Sequence, residues 1–144
     1  MSDSPGGRGK LDIWSVPLDT NYFCPCNIPV PGRQLSSLPS FSLPVNEAGI
    51  NTPGDDVTPF YDTNTGRLYF SSDGWPGYGA QDIFYAEKNQ KPVNAGSALN
   101  SGYNDMYMVL SVRGDRGYFS SNRPGSLYQD EKNKTCCNDI FSFR

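Results

Sequence analysis

The chain contains no histidine at all. Ser-His-Asp and Cys-His arrangements need an imidazole as base, and the commonest zinc sites use one as ligand. This segment supplies none of them by itself. Nor does it carry a run of Lys or Arg: 12 basic residues are scattered among 15 acidic ones, leaving a net charge of −3, which gives no general attraction for nucleic acid or anionic lipid. No apolar stretch approaches the roughly twenty residues of a membrane span, and no signal peptide is visible. Helical patterning is missing as well. No window of eleven or more residues keeps apolar side chains at i, i+3 and i+4, and 15 glycines and 12 prolines, spread along 144 residues, interrupt most candidate helices.

What the chain does have is a repeat. "INTPGDDVTPF" (50–60) aligns with "LNSGYNDMYMV" (99–109), and "YFSSD" (69–73) with "YFSSN" (118–122), both by 49 positions (100 − 51; 119 − 70). One unit is the length of a four-stranded propeller blade. Within it, short extended segments are predicted at Val57 to Tyr61, Arg67 to Ser71, Asp82 to Ala86 and, more weakly, Lys91 to Asn94, each rich in β-branched or aromatic residues and bounded by Gly, Pro, Asn or Asp. "DTNTGR" (62–67) and "SVRGDRG" (111–117) read as hairpin turns, because Asn, Asp and Gly tolerate positive φ. The fold class expected is all-β, a partial β-propeller of about two to three four-stranded antiparallel blades. Its units span about 1–50, 51–99 and 100–144.

The longest shared pattern lies before the third strand. "SDSPGGRGKLDIW" (2–14) matches "SSDGWPGYGAQDIF" (71–84) at Ser2/Ser72, Asp3/Asp73, Gly7/Gly77, Gly9/Gly79, Asp12/Asp82 and Ile13/Ile83; "SSNRPG" (120–125) with "NDIFSF" (138–143) gives a third copy. The first copy opens where the others have Phe70 or Phe119, so a strand looks cut, and the chain reads as a fragment expected to self-associate through open faces and edges. Asp12, Asp82 and Asp139 recur at the strand entry, where a carboxylate accepts hydrogen bonds from amides of the preceding Gly-rich loop. A rival reading is a calcium site built on Asp73 or Asp82 with loop carbonyls. Asp55 and Asp56, with Asn104 and Asp105 one unit on, read as turn and cap residues; a paired-carboxylate acid/base centre is the sharper alternative, and its repetition argues for architecture. Trp14, Phe84 and Phe141 share one position and read as sheet packing. Trp75, Tyr78, Arg123 and Tyr128, in the long loops, form a candidate interaction rim, although Trp75 can equally cover its own loop.

All four cysteines sit in insertions, placed at about 20–43 and 126–137. Asp12 to Asn51 is 39 positions where Asp82 to Asn100 is 18, and Ser121 to Asp139 is 18 where Ser72 to Asp82 is 10. Cys24 and Cys26 lie in the first insertion, Cys136 and Cys137 in the second. An even count in loops favours disulfides and an oxidising compartment. Free thiols and a metal site remain open alternatives, though C-x-C with C-C is not the C-x₂-C spacing of zinc.

"NTPGDDVTPFYDTNTGRLYFSSDGWPGYGAQDIF" and "YFSSNRPG…NDIFSF" resemble the WD40-like repeats called PD40, found in TolB and in the propeller region of OmpA-family proteins of Gram-negative envelopes; "PVN" (92–94) followed by "LNS" (99–101) is similar to the linker between their blades. The resemblance implies a non-enzymatic, periplasmic, outer-membrane-associated scaffold. Its partners would be other envelope proteins, and peptidoglycan through a domain outside this segment, with no cofactor, metal, catalytic residue, nucleic acid or direct membrane span. Two other functions compete with this one. A gating propeller of a serine peptidase needs a G-x-S-x-G elbow, which does not occur here, and a glycan- or peptide-binding propeller would use the aromatic rim.

Overall fold

The computed structural model describes residues 6–17, 43–125 and 137–144. These form nine strands and no helix: β1 Trp14–Ser15, β2 Val45–Asn46, β3 Asp56–Asp62, β4 Arg67–Ser72, β5 Asp82–Ala86, β6 Val93–Asn94, β7 Asp105–Leu110, β8 Gly117–Ser121 and β9 Asp139–Phe143. They assemble into three antiparallel sheets in plain chain order, β1-β2, β3-β4-β5-β6 and β7-β8-β9, and none of the sheets closes on itself. The all-β expectation holds. The predicted segments match β3, β4 and β5 to within a residue at each end, while the weak fourth segment narrows to Val93–Asn94, because Pro92 has no N–H to offer a ladder.

The repeat is reproduced in backbone detail. Both hairpins turn on a left-handed glycine, Gly66 at φ 72° and Gly114 at φ 69°. Asp62 stabilises the first by accepting from the Asn64 amide (3.0 Å) and the Thr65 hydroxyl (2.6 Å). The Thr65 hydroxyl, more than any other contact, holds the Asp62 carboxyl below its ordinary pKa. The register slips at Val57/Phe60 in β3 and at Met106/Val109 in β7, and the bulged residues Thr58 and Tyr107, 49 positions apart, both take positive φ. A β-branched or aromatic side chain there is costly for the backbone. Two neighbouring bulges in contact, with the Tyr107 amide 3.4 Å from Thr58 Oγ1, hold that geometry.

Side chains alternate across each strand, and so the second sheet packs on both of the others. Phe70, Phe84 and Ala86 face the first sheet, forming a core with Ile13 and Ile50. Ile83, on the opposite face of the second sheet, joins Leu99, Met108 and Phe119 in another core, flanked by Phe141 and Phe143. Phe70 stacks on Phe84 and Phe119 on Phe141, with ring centroids 5.9 and 5.7 Å apart. Trp14 and Phe141 are half-buried, whereas Phe84, at the same position in the four-stranded second sheet, is buried.

Candidate interaction surface

Successive sheets are joined at one end by a polar knot that occurs twice. Its first component is the Gly-rich loop. Asp12 Oδ2 accepts the Arg8 amide at 2.5 Å, and Asp82 Oδ2 accepts the amides of Tyr78 and Gly79. The spacing of the glycines follows from this. An ideal Cβ on Gly77 would fall 1.7 Å from Asp82 Oδ2, and one on Gly79 would fall 2.5 Å from the carbonyl oxygens of Ser101 and Tyr103 in the next unit. Gly9 meets the carbonyl of Thr52 in the same way, at 2.3 Å. One glycine makes room for the aspartate, the other for the neighbouring backbone. A backbone bond accompanies each contact, Asp56 N–H to Leu11 O and Asp105 N–H to Gln81 O, both 2.7 Å.

The second component had no role assigned from sequence, although Asn51 and Asn100 align. Asn100 brackets the Ile83 peptide unit, its Oδ1 accepting the Ile83 amide and its Nδ2 donating to the Ile83 carbonyl, both at 2.8 Å. Asn51 does the same to Ile13, at 2.9 and 2.8 Å. Each bracketing amide also donates to the asparagine that ends the preceding short strand, Asn94 or Asn46. The recurring "VN" and "[IL]N[TS]" were the available signal; a side chain mimicking a strand partner is not visible in strand propensities.

The third component is a polar row running Asp56–Ser72–Asp82 across the second sheet and Asp105–Ser121–Asp139 across the third, buried at every position but the half-buried Asp139. Asp56 Oδ2 accepts from the amide and hydroxyl of Thr52, and Asp105 Oδ2 from those of Ser101. Asp73 Oδ1 accepts the Asp55 amide and Asn122 Oδ1 the Asn104 amide. These contacts are turn and cap chemistry. Burial pushes the Asp82 carboxyl above its ordinary pKa, against the loop amides that lower it. Among the described residues Oδ1 of Asp12, Asp56 and Asp82 has no hydrogen-bond partner, and no group of three or more His, Cys, Asp or Glu is placed to hold a metal.

Of the four rim candidates, two turn inward. The Trp75 indole packs on the core beside Ile50 and donates Nε1–H to the Ile50 carbonyl at 2.8 Å. Arg123 donates to the Leu99 carbonyl, pairs with Asp105 Oδ1 at 2.7 Å and lies over the rings of Phe119 and Phe141. Tyr78 is exposed, and Tyr128 lies outside the described residues. Asp139 opens β9, as the repeat requires, but most of the loop before it, 126–136, lies outside the described residues. Cys137 is disulfide-bonded. Cys24, Cys26 and Cys136 lie outside the described residues, and the calcium reading at Asp73 or Asp82 finds those carboxylates engaged by backbone amides.

Two clefts open at the far end of the sheets. The one between the second and third sheets is about 470 Å³ and is lined by Asp62, Tyr69, Tyr85, Leu110 and Phe143. Its counterpart against the shorter first sheet is about 880 Å³, lined by Trp14, Tyr61, Leu68, Lys88 and Lys91. Trp14 Nε1 is buried beside it with no acceptor among the described residues. The outward face of the third sheet is bare: Ile140 is 79% exposed, where its equivalents Ile13 and Ile83 are 3% and 0%. No helix among the described residues is long and apolar enough to cross a membrane. No protein-family model, curated protein or solved structure matches the chain.

Proposed function

We propose that the chain is part of a β-propeller of the PD40 type and acts as a non-enzymatic protein–protein interaction scaffold of a Gram-negative envelope, on the periplasmic side and associated with the outer membrane. The observation that supports this best is the repetition of one sheet-to-sheet junction, in which Asn51 and Asp56 recur 49 positions on as Asn100 and Asp105 and the Gly-rich loop ending at Asp12 recurs as the one ending at Asp82. A chain built this way invests its buried polar groups in stacking sheets and leaves broad sheet faces for partners. Envelope proteins and, through a further domain, peptidoglycan are the partners that the PD40 resemblance implies. Reading the open reading frame on both sides of the segment is the direct test. A peptidoglycan-binding OmpA-like domain in the same frame supports the scaffold, whereas an α/β-hydrolase domain overturns it in favour of a gating propeller.

A glycan- or peptide-binding role has one observation in its favour, the wide cleft beside the Trp14 indole N–H, which has no acceptor among the described residues. Tryptophan fluorescence titrated with a panel of oligosaccharides and short peptides checks it, with loss of the response in Trp14→Phe as the expected result.

A further inference from the structure

We infer that the turn between β7 and β8, with Arg113, Gly114 and Asp115 at its tip, is a recognition site for a protein that carries a divalent cation beside an acidic pocket. The inference goes beyond the scaffold reading and does not depend on it. The repeat supplies the contrast. In the turn between β3 and β4 the acidic residue comes first: Asp62 is buried and accepts from the Asn64 amide and the Thr65 hydroxyl, so its charge is satisfied within the turn. One repeat further on, Ser111 stands for Asp62, Arg113 for Asn64 and Asp115 for Gly66, which moves the carboxylate from the base of the hairpin to its exposed tip. Asp115 Oδ1 accepts the Ser111 hydroxyl at 2.7 Å, and Oδ2 has no partner among the described residues. Arg113 is exposed and forms no ion pair among them. Val112 beside it is 93% exposed, where the other turn has Thr63. Sheet stacking accounts for what the two turns share and does not account for this exchange. The backbone that presents the groups is fixed. Ser111 N–H donates to the Arg116 carbonyl and Gly114 N–H to the Ser111 carbonyl, both at 2.8 Å, and Asn64 Nδ2 reaches the Val112 carbonyl from the neighbouring turn at 3.1 Å. Gly114 takes φ 69°, and a Cβ there would meet nothing within 4 Å, which leaves the apex open to an approaching surface. Arg113 and Gly114 border the cleft between the second and third sheets, so they face a neighbour that is already in place. A carboxylate oxygen is a hard ligand suited to the open coordination position of Mg²⁺, Ca²⁺ or Mn²⁺, and a guanidinium fits a carboxylate through its fork. Separated by one glycine and not paired with each other, the two charges are complemented by a partner holding the opposite signs at the same spacing, and a turn already locked loses little freedom on binding.

The probe is the soluble ectodomain of an adhesion receptor of the class that binds Arg-Gly-Asp peptides through a divalent cation, passed over the immobilised full-length chain in Mn²⁺ and again in EDTA. Saturable binding is expected in Mn²⁺ and none in EDTA. Asp115→Glu keeps the charge but moves the carboxylate by one methylene, and is expected to weaken binding at least about tenfold with the thermal midpoint unchanged, since coordination demands a fixed geometry. Arg113→Lys, which keeps the charge and loses the fork, is expected to weaken it less. Thr63→Ala, in the other turn, is expected to change nothing. If a variant fails to fold, peptides decide the matter against the unaltered protein: SVRGDRG, residues 111–117 of the chain, is expected to displace the receptor, and the same peptide with Glu for Asp is not. No binding at about 10 μM receptor, a range in which weak specific contacts register, binding that survives EDTA, or equal binding by the Asp115→Glu protein would each overturn the site. Each of those results bears on the turn alone; the scaffold reading is decided by the neighbouring gene sequence.

Discussion

The second and third sheets are two versions of one design, and one buried corner is solved differently in each. In the third, Arg123 reaches from the loop after β8 and meets three acceptors at once: Asp105 Oδ1, Ser121 Oγ and the Leu99 carbonyl. In the second, the equivalent position is Gly74, whose Cβ would lie 1.9 Å from Thr52 Oγ1, and the next residue, Trp75, caps the Ile50 carbonyl with its indole. The acceptors have stayed in place while the donor has changed. The indole satisfies the carbonyl but not the carboxylate, so Asp105 Oδ1 is paired and Asp56 Oδ1 is not. A repeat can therefore keep its backbone while the group that caps the core carbonyl changes, and only one of its copies pairs the buried carboxylate with a cation.

The largest expected effect is on the paired corner. Arg123→Ala leaves the fully buried Asp105 without its guanidinium and is expected to cost about 3–5 kcal/mol in urea unfolding, whereas Trp75→Phe in the other sheet is expected to cost about 1 kcal/mol for one lost hydrogen bond. Equal losses would erase the contrast. The covered and bare faces are separated by a second pair: Ile83→Ala is expected to destabilise by about 2–4 kcal/mol, and Ile140→Ala by less than about 0.5 kcal/mol. A smaller, local test uses the glycines. Gly79→Ala, which presses on two carbonyls of the next unit, is expected to cost about 1–3 kcal/mol; Gly102→Ala, with open space around it, is expected to cost little by the same assay.

The smallest effect concerns pH. Asp82 has a raised carboxyl pKa in the folded state, so the folded protein holds its proton more tightly than the unfolded chain does. Stability from this group is present at low pH and is lost as pH rises from the unfolded aspartate value to the raised one. Asp62 has the opposite shift and contributes stability above the unfolded value, lost as pH falls. Asp82→Asn is thus expected to remove the loss on the rising side and leave the acid-side decline. Unfolding midpoints measured across that range for both proteins check it, and an unchanged profile would count against the assignment.

The sequence made the β3, β4 and β5 segments legible because β-branched and aromatic runs are bounded there by Gly, Asn and Asp, and because the 49-residue shift checks each segment against a second copy. The role of Asp12 and Asp82 was legible for the same reason: an aspartate at a fixed distance from loop glycines has few other uses. Asn51 and Asn100 were not, since an asparagine before Thr or Ser reads as a turn residue until the peptide it brackets, 38 or 17 positions away, is brought beside it. Arg123 pointed the other way from sequence, and Trp75 carried both readings, a rim anchor or a cover for its own loop. Large side chains in long loops suggest contacts with partners, and here the carbonyls of Ile50 and Leu99 draw them inward.

The polar knot sits where β3 and β7 begin, and the clefts lie where those strands end. At the cleft end the described hydrogen bond between the second and third units is the exposed one from Asn64 Nδ2 to the Val112 carbonyl. Each sheet is thus riveted to the next near one end, like the ribs of a hand fan, and the angle between ribs is left to the side chains in the wedge. Enlarging or emptying that wedge at Tyr69 or Leu110 would alter the spread of the fan before it loosened the rivet.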